Sequence, residues 1–297
     1  MNLKTLIIVD SSCTISSQLA KENQIVILPL AIYRNDGQTY LYESLTMDSK
    51  DFLKMSDDGY SFKTGCTPQG VIEEVLQNQL KEYDQIIALP ISKKWSSQYD
   101  HLKQLENDKR FANKLFVVDT LEYGYAIEKL ALDLRQKLNQ NMYTTKELLE
   151  YATNYHDKTI SYFACLELNG LVKSGRVPKI LASLLKLTKR SPIIRVEGEN
   201  HLEAWVKNYS EVINKIIKAT LKIYDNKLTN KDIVHIAVLT TEIGNEFVDS
   251  IITELSKTFS LNRSQIEIKA APSIFANIVG RNAIGIHIVA NKEKIKD

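Results

Sequence analysis

The chain has little cysteine. Cys13, Cys66 and Cys165 are spread over 297 residues, an odd number without close spacing, which argues against a disulfide framework. There is no Cys-x-x-Cys or His-Glu-x-x-His spacing, and the five histidines (His101, His156, His201, His235, His287) are scattered. No metal site is expected from such a set. A run of about 18 apolar residues, the length a bilayer-crossing helix requires, is also missing. So is an excess of charge of one sign. Lys plus Arg number 38 against 36 Asp plus Glu, which gives no global attraction to nucleic acid or an anionic membrane. The opening MNLKTLIIVDSS has a short apolar run ending in Asp10 and no cleavage site, so it does not read as a signal peptide and the expected location is cytoplasmic. Nucleotide-binding signatures are lacking: neither Gly-x-x-x-x-Gly-Lys-Ser/Thr nor Gly-x-Gly-x-x-Gly occurs.

What is present is the composition of a globular protein, 44% hydrophobic and 25% charged,. The first half alternates two kinds of segment. LKTLIIVD (3–10), QIVILPLAIY (24–33), DQIIALPIS (84–92) and NKLFVVDT (113–120) are near-continuous apolar runs, as strands buried on both faces require. Helical patterns fill roughly 68–81, 97–107 and 122–139. This alternation predicts an α/β domain with a mainly parallel sheet covered by helices.

NQNMYTTKELLEYATNYHDKT reads as the last helix of that domain, capped by Thr144 or Thr145, with Glu147 and Glu150 early in it,. The expected division is residues 1–157 and 158–297. Strand patterns in the second domain are 160–168, 191–196, 201–206, 232–240, 265–271 and 283–290, with helices at 178–189, 208–225, 243–258 and 272–279. Gly198 suits a hairpin turn between the second and third of these strands. The second domain is expected to be α/β as well, with a mixed sheet and helices.

Small polar residues follow three strands of the first domain: Asp10-Ser11-Ser12, then Ser92, Ser96 and Ser97, then Asp119-Thr120. In an open parallel sheet these ends share one edge, where ligands bind. FKTGCTPQG (62–70) opens the helix before the third strand, so it is expected on that edge too. Thr67 reads as an N-cap and Pro68 as the first helical residue. The first turn of such a helix offers unpaired N–H groups and a partial positive charge, suited to a carboxylate or phosphate. Thr64 and Ser96 would add hydroxyl donors, and Gly65 would let the backbone come close. The other reading is plain capping and turn formation. Ser96 or Cys66 as a nucleophile is a further reading, with His101 five residues beyond Ser96,. No Gly-x-Ser-x-Gly elbow accompanies it.

Several stretches together resemble the DegV family, the fatty-acid-binding proteins that serve the bacterial fatty acid kinase. They are IIVDSS (7–12), KTGCT (63–67), SKKWSSQY (92–99), VVDTLEYGYA (117–126) and LVKSGRVPK (171–179), in the family's order over almost the whole chain. The resemblance implies two α/β domains with one long-chain fatty acid in a tunnel between them, its carboxylate held by Thr64 and Ser96. It implies a carrier without a catalytic site or cofactor of its own. A separate kinase subunit would phosphorylate the bound acid to an acyl phosphate, and peripheral exchange with membrane lipid is compatible with that role.

The sequence departs from the family pattern in three places. Gly65 stands where the family has serine, and Ser97-Gln98 stands where it has Gly-Thr. Ile278, in IVGRNAIG (278–285), stands where it has a carboxylate-holding histidine. Arg281 or Asn277 is the candidate to replace that histidine. Ile27, Leu28, Leu30, Ile180, Leu184, Leu185 and Leu187 are candidate tunnel residues, with ordinary core as the alternative. Lys173, Arg176, Lys179, Lys186, Lys189 and Arg190 fall close together. Arg176 follows a glycine and, with Lys207, is the candidate for docking the kinase; a structural ion pair is the other reading of Arg176. A scaffold without a ligand is the remaining class.

Overall fold

A computed structural model describes residues 3–37, 39–42, 49–165, 190–208, 210–242 and 244–294. The cluster at Lys173, Arg176, Lys179, Lys186 and Lys189, and the tunnel candidates Ile180, Leu184, Leu185 and Leu187, lie outside the described residues. The chain divides into two compact units. One comprises Met1–Asp48, Lys54–Tyr155 and Pro272–Ile274; the other comprises Ser49–Leu53, His156–Ala271 and Phe275–Asp297.

The first unit is built on β1 (Thr5–Asp10), α1 (Ser17–Glu22), β2 (Ile25–Leu28), β3 (Leu30–Arg34) and β4 (Thr39–Tyr42). After α2 (Ser49–Asp57) come β5 (Phe62–Gly65), α3 (Gln69–Gln79), β6 (Gln85–Leu89), α4 (Gln98–Glu106), β7 (Leu115–Val117), α5 (Tyr125–Gln140) and α6 (Thr145–Thr153). Four strands form a wholly parallel sheet in the order β2-β1-β6-β7. Every residue of β1 and β6 is buried, which is why these strands read as unbroken apolar runs. On one face Leu6, Ile8, Ile86 and Ala88 pack with Ile72 and Leu76 of α3 and Leu102 and Leu105 of α4. Helix α5 packs against β1 and α6. At the start of α6 Thr144 Oγ1 accepts from Glu147 N, while Glu147 Oε2 accepts from Thr144 N at 2.7 Å, so Thr144 is the cap.

The run 24–33 is not one strand. It breaks at Pro29 into β2, in the parallel sheet, and β3, the centre of a separate antiparallel sheet ordered β4-β3-β5. Proline has no N–H to extend a ladder, and the next amide, Leu30 N, donates to Ser11 Oγ at 2.9 Å. The placement of Lys63-Thr64-Gly65 in a helix-opening loop is likewise corrected, because these residues form β5, with Thr64 opposite Ile32 and Gly65 opposite Ala31. Of the tunnel candidates from this stretch, Leu28 belongs to the parallel sheet's core, Leu30 is buried and Ile27 is half-buried.

The second unit has β8 (Thr159–Cys165), β9 (Ser191–Glu197), β10 (Glu199–Val206), α7 (Ser210–Ile223) and β11 (Ile233–Thr241). Helix α8 (Asn245–Phe259), β12 (Ile266–Ala270), α9 (Ser273–Val279) and β13 (Ala283–Ala290) follow, α9 being divided between the units. The sheet order is β10-β9-β8-β13-β11-β12, antiparallel except for the pair β11–β12. Gly198, at φ 69°, makes the tight turn between β9 and β10 that a side chain would strain. Residues such as Ile160, Tyr162, Ile284 and Ile286 face Val212, Ile216, Ile251 and Leu255 of α7 and α8.

Candidate functional site

The C-terminal ends of β1 and β6 are joined by one carboxylate. Asp10 accepts from Ile91 N at 2.8 Å through one oxygen, and from Ser12 N at 3.0 Å and the Ser12 hydroxyl through the other. Burial pushes this carboxyl up, and the bonds from Ser12 and Ile91 pull the other way. The neighbouring hydroxyls are spent on the backbone as well. Ser11 Oγ accepts from Leu30 N, and Thr120 Oγ1 donates to Pro90 O at 2.9 Å. These edge residues therefore tie strand ends together, holding in place the loop that follows β6.

That loop runs from Pro90 to Ser97 and folds on itself, with Trp95 N and Ser96 N both donating to Ser92 O. Trp95 stacks on Tyr123, ring centroids 5.6 Å apart, and Lys93 pairs with Asp119 at 3.1 Å. The loop meets the segment after β5 in a compact polar junction. Cys66 Sγ lies 3.7 Å from Ser96 Oγ. Gln98, the first residue of α4, is fully buried. Its Oε1 accepts from Thr67 N at 2.9 Å and its Nε2 donates to Thr67 Oγ1 at 3.0 Å. Gln98 N in turn donates to Ser96 Oγ at 3.2 Å.

Thr67 therefore does not cap α3. The N-cap is Pro68, without a side-chain bond, and the Thr67 hydroxyl is taken by Gln98. Cys66 and Ser96 are half-buried at this junction, and Thr64, on β5 opposite Ile32, is half-buried as well. A Cβ at Gly65 would lie 2.9 Å from the Tyr33 ring, so that ring packs closely against the glycine. Sequence reasoning singled out Thr64, Gly65 and Ser96 but missed Gln98 and Tyr33. The Ser97-Gln98 departure was legible, but no local signal shows that a side chain at 98 reaches residue 67.

Arg281 belongs to the second unit and pairs with Glu242. It follows Gly280, whose carbonyl accepts from Thr241 Oγ1 at 2.8 Å. Asn277 is half-buried and Ile278 buried. Lys207 is exposed, and its backbone N donates to Glu211 Oε2 at 3.2 Å. Arg176 lies outside the described residues. His101 Nδ1 is buried without a hydrogen-bond partner. Among the described residues no group of three or more His, Cys, Asp or Glu is arranged to hold a metal ion. Nor is any helix among them long and apolar enough to cross a membrane.

The model of the DegV family matches residues 4–291. The DegV domain-containing protein UU535 of Ureaplasma parvum is 36% identical over 294 residues, covering 99% of this chain and 98% of that protein. A DegV domain-containing protein of Mycoplasmopsis pulmonis is 24% identical over 297 residues, with coverage of 99% and 98%. Among solved structures, the fatty-acid-binding DegV family protein of Thermus thermophilus superposes with a TM-score of 0.84 at 17% identity, covering 97% of this chain and 100% of that one. A stearic acid-binding protein of Eubacterium ventriosum gives 0.81 at 16% identity, with 98% of each chain covered. At these identities the likeness establishes a shared two-domain α/β fold.

Proposed function

Because this chain belongs to the DegV family, we propose that it binds a long-chain fatty acid, holds the carboxylate between Thr64 and Ser96, and presents it to a separate kinase subunit for phosphorylation to an acyl phosphate. The observation that carries this reading is the polar junction itself. Two segments 30 residues apart, each bearing a half-buried hydroxyl, meet where Cys66 Sγ and Ser96 Oγ stand 3.7 Å apart. The proteins of Thermus thermophilus and Eubacterium ventriosum, which share the fold, bind fatty acids, in the second case stearic acid.

The energetics divide the work between the two ends of the ligand. Burying about 14 methylenes at ~0.8 kcal/mol each contributes roughly 11 kcal/mol before the cost of association. Each hydrogen bond to a carboxylate adds about 1.5–3 kcal/mol at most. The tail sets affinity, and Thr64 and Ser96 set orientation. The backbone at Gly65 lines the head group; Arg281, the candidate for the charge of the histidine absent at Ile278, would have to leave its pairing with Glu242 to serve there. Acyl phosphate formation needs a phosphoryl donor, which the partner brings. Arg176 and Lys207 serve its docking, Arg176 through the planar fork that suits carboxylate or phosphate. The protein acts in the cytoplasm as a carrier and needs no cofactor. A nucleophilic role for Ser96 gains no support from His101, whose Nδ1 has no hydrogen-bond partner.

Native mass spectrometry of the purified protein, followed by lipid extraction, tests this reading. A co-purifying acid of about 14–18 carbons is expected, the range that matches the burial estimate. A covalent acyl adduct on Ser96 or Cys66 would instead establish an acyl-transfer enzyme. A protein that stays empty and gains no thermal stability with added palmitate would leave only a scaffold.

A further inference from the structure

We infer that Gln98 is a positioning residue: its side chain locks the segment after Thr64 to the Ser96 loop, while its backbone N–H occupies the Ser96 oxygen and leaves the hydroxyl proton as the donor. The inference rests on the fatty-acid reading above.

A primary amide has two N–H donors and an oxygen with two lone pairs, and burying it unmatched is costly. Gln98 is fully buried, and both ends of its amide are spent on one residue. Thr67 N donates to its oxygen at 2.9 Å, and its nitrogen donates to Thr67 Oγ1 at 3.0 Å. A bond made at two points fixes orientation as well as distance. It joins residues 31 positions apart, one following Thr64 and the other following Ser96. Any slack in this clamp changes the separation of the two hydroxyls.

The backbone of Gln98 does a second job. Its N–H donates to Ser96 Oγ at 3.2 Å, so that oxygen already serves as an acceptor and its own proton points elsewhere. The near candidate for that proton is Cys66 Sγ at 3.7 Å, a weak acceptor. A carboxylate, which only accepts, outcompetes it. A carboxylate brought to this junction would therefore accept from the Ser96 hydroxyl in preference to Cys66 Sγ,. A threonine, as in the family pattern at this position, has no amide with which to make the clamp. Gly65, where that pattern has serine, supplies no side-chain donor. The clamp offsets that loss by holding the two remaining hydroxyls in place.

The test uses the full chain with palmitate labelled with carbon-13 at the carboxyl, whose resonance is followed against pH. In the wild type, donors aimed at the carboxylate favour its charged form, so one narrow bound resonance with a low titration midpoint is expected. Gln98→Met keeps the length and removes both bonds to Thr67. It should leave affinity within about three-fold, broaden the resonance, and raise the midpoint by about one pH unit. Thr67→Val removes only the hydroxyl arm and should shift the midpoint about half as far in the same direction. The double variant should match Gln98→Met alone, because the clamp is already open.

A resonance and midpoint at wild-type values in both single variants would overturn the inference. So would a Gln98→Met protein that melts earlier and binds less while the acid it holds keeps the wild-type signature, since that is stability alone. If Gln98→Met does not fold, Thr67→Val decides: a raised midpoint supports the clamp and an unmoved one refutes it. A wild-type protein that binds no palmitate removes the fatty-acid reading itself, and this is read before any variant is made.

Discussion

The two units place their buried polar groups differently, and the sheets explain why. In the first unit all four main strands are parallel, so their C-terminal ends gather on one edge. Asp10, Ser12, Ser92 and Thr120 sit there, fully buried. In the second unit neighbouring strands are antiparallel except for one pair. One of its buried polar pairs, Ser161 and His287, lies mid-strand on β8 and β13, with Ser161 Oγ 2.9 Å from His287 Nδ1. An edge lets loop amides come to a carboxylate, and the hydroxyls there fix backbone, that of the loop carrying Ser96 included. The parallel edge is therefore the place to look for a site, and the mid-sheet pair is the place to look for pH-dependent stability.

Asp10→Ala should produce the largest effect. It strips the acceptor from Ile91 N, Ser12 N and the Ser12 hydroxyl, all inside the protein. At about 1–3 kcal/mol per buried unmatched group, the loss should reach about 3 kcal/mol or more in urea unfolding. Ser161→Ala removes one neutral bond and should lose about 1 kcal/mol. Equal losses in the two variants would erase the distinction between edge and mid-sheet.

Acid should act next, through the second unit. Burial lowers the His287 pKa to about 3, while in the unfolded chain it titrates near 6.5. Below about 6.5 the unfolded chain takes up a proton that the native state refuses. Stability should therefore fall as pH drops toward about 3, by up to ~1.4 kcal/mol per pH unit. Asp10 runs the other way. Burial holds its carboxyl above the ordinary value, so the contribution of that shift is complete below the ordinary carboxylate range and is lost as pH rises through the raised value. Unfolding midpoints between pH 7 and 4 should show a steep acid loss in the wild type and a flatter one in His287→Gln. Parallel curves would contradict the assignment.

At the proposed head-group site the effects should be smaller. Thr64→Ala or Ser96→Ala should weaken palmitate binding by about ten-fold, on the order of 1.4 kcal/mol, because the tail dominates. Displacement of a fluorescent fatty acid measures this, and complete loss of binding in either variant would refute the division between tail and head. Gly65→Ser should matter least. The added Cβ meets the Tyr33 ring at 2.9 Å, but Tyr33 is 40% exposed and its ring can swing into solvent. A stability change within about 0.5 kcal/mol is expected, and a larger one measured by thermal melting would show Tyr33 to be held.

Most of this fold was legible because its strands are long, apolar and separated by periodic helices. β1, β6, β8 and β13 declare themselves by buried runs, and the start of α6 by two threonines, Thr144 and Thr145, before an acidic first turn, the structure choosing Thr144 as the cap. The antiparallel sheet of β3, β4 and β5 was not legible. Its strands are four or five residues long, and β3 continues the apolar run of β2 with only Pro29 between them. At the site, the hydroxyls at 64 and 96 stand out as small polar residues at a turn and a strand end. The Gln98 clamp does not stand out, because a glutamine at the start of a helix looks like any solvated residue until the chain folds. The same holds for Asp10, which reads as an edge residue facing a ligand and instead ties two strands together.

The central claim is that the Thr64 and Ser96 hydroxyls jointly hold a fatty-acid carboxylate. The most direct measurement is a crystal structure of the palmitate complex. The account predicts one carboxylate with oxygens about 2.6–3.0 Å from both Thr64 Oγ1 and Ser96 Oγ. A carboxylate bound elsewhere, or one touching neither hydroxyl, would contradict it.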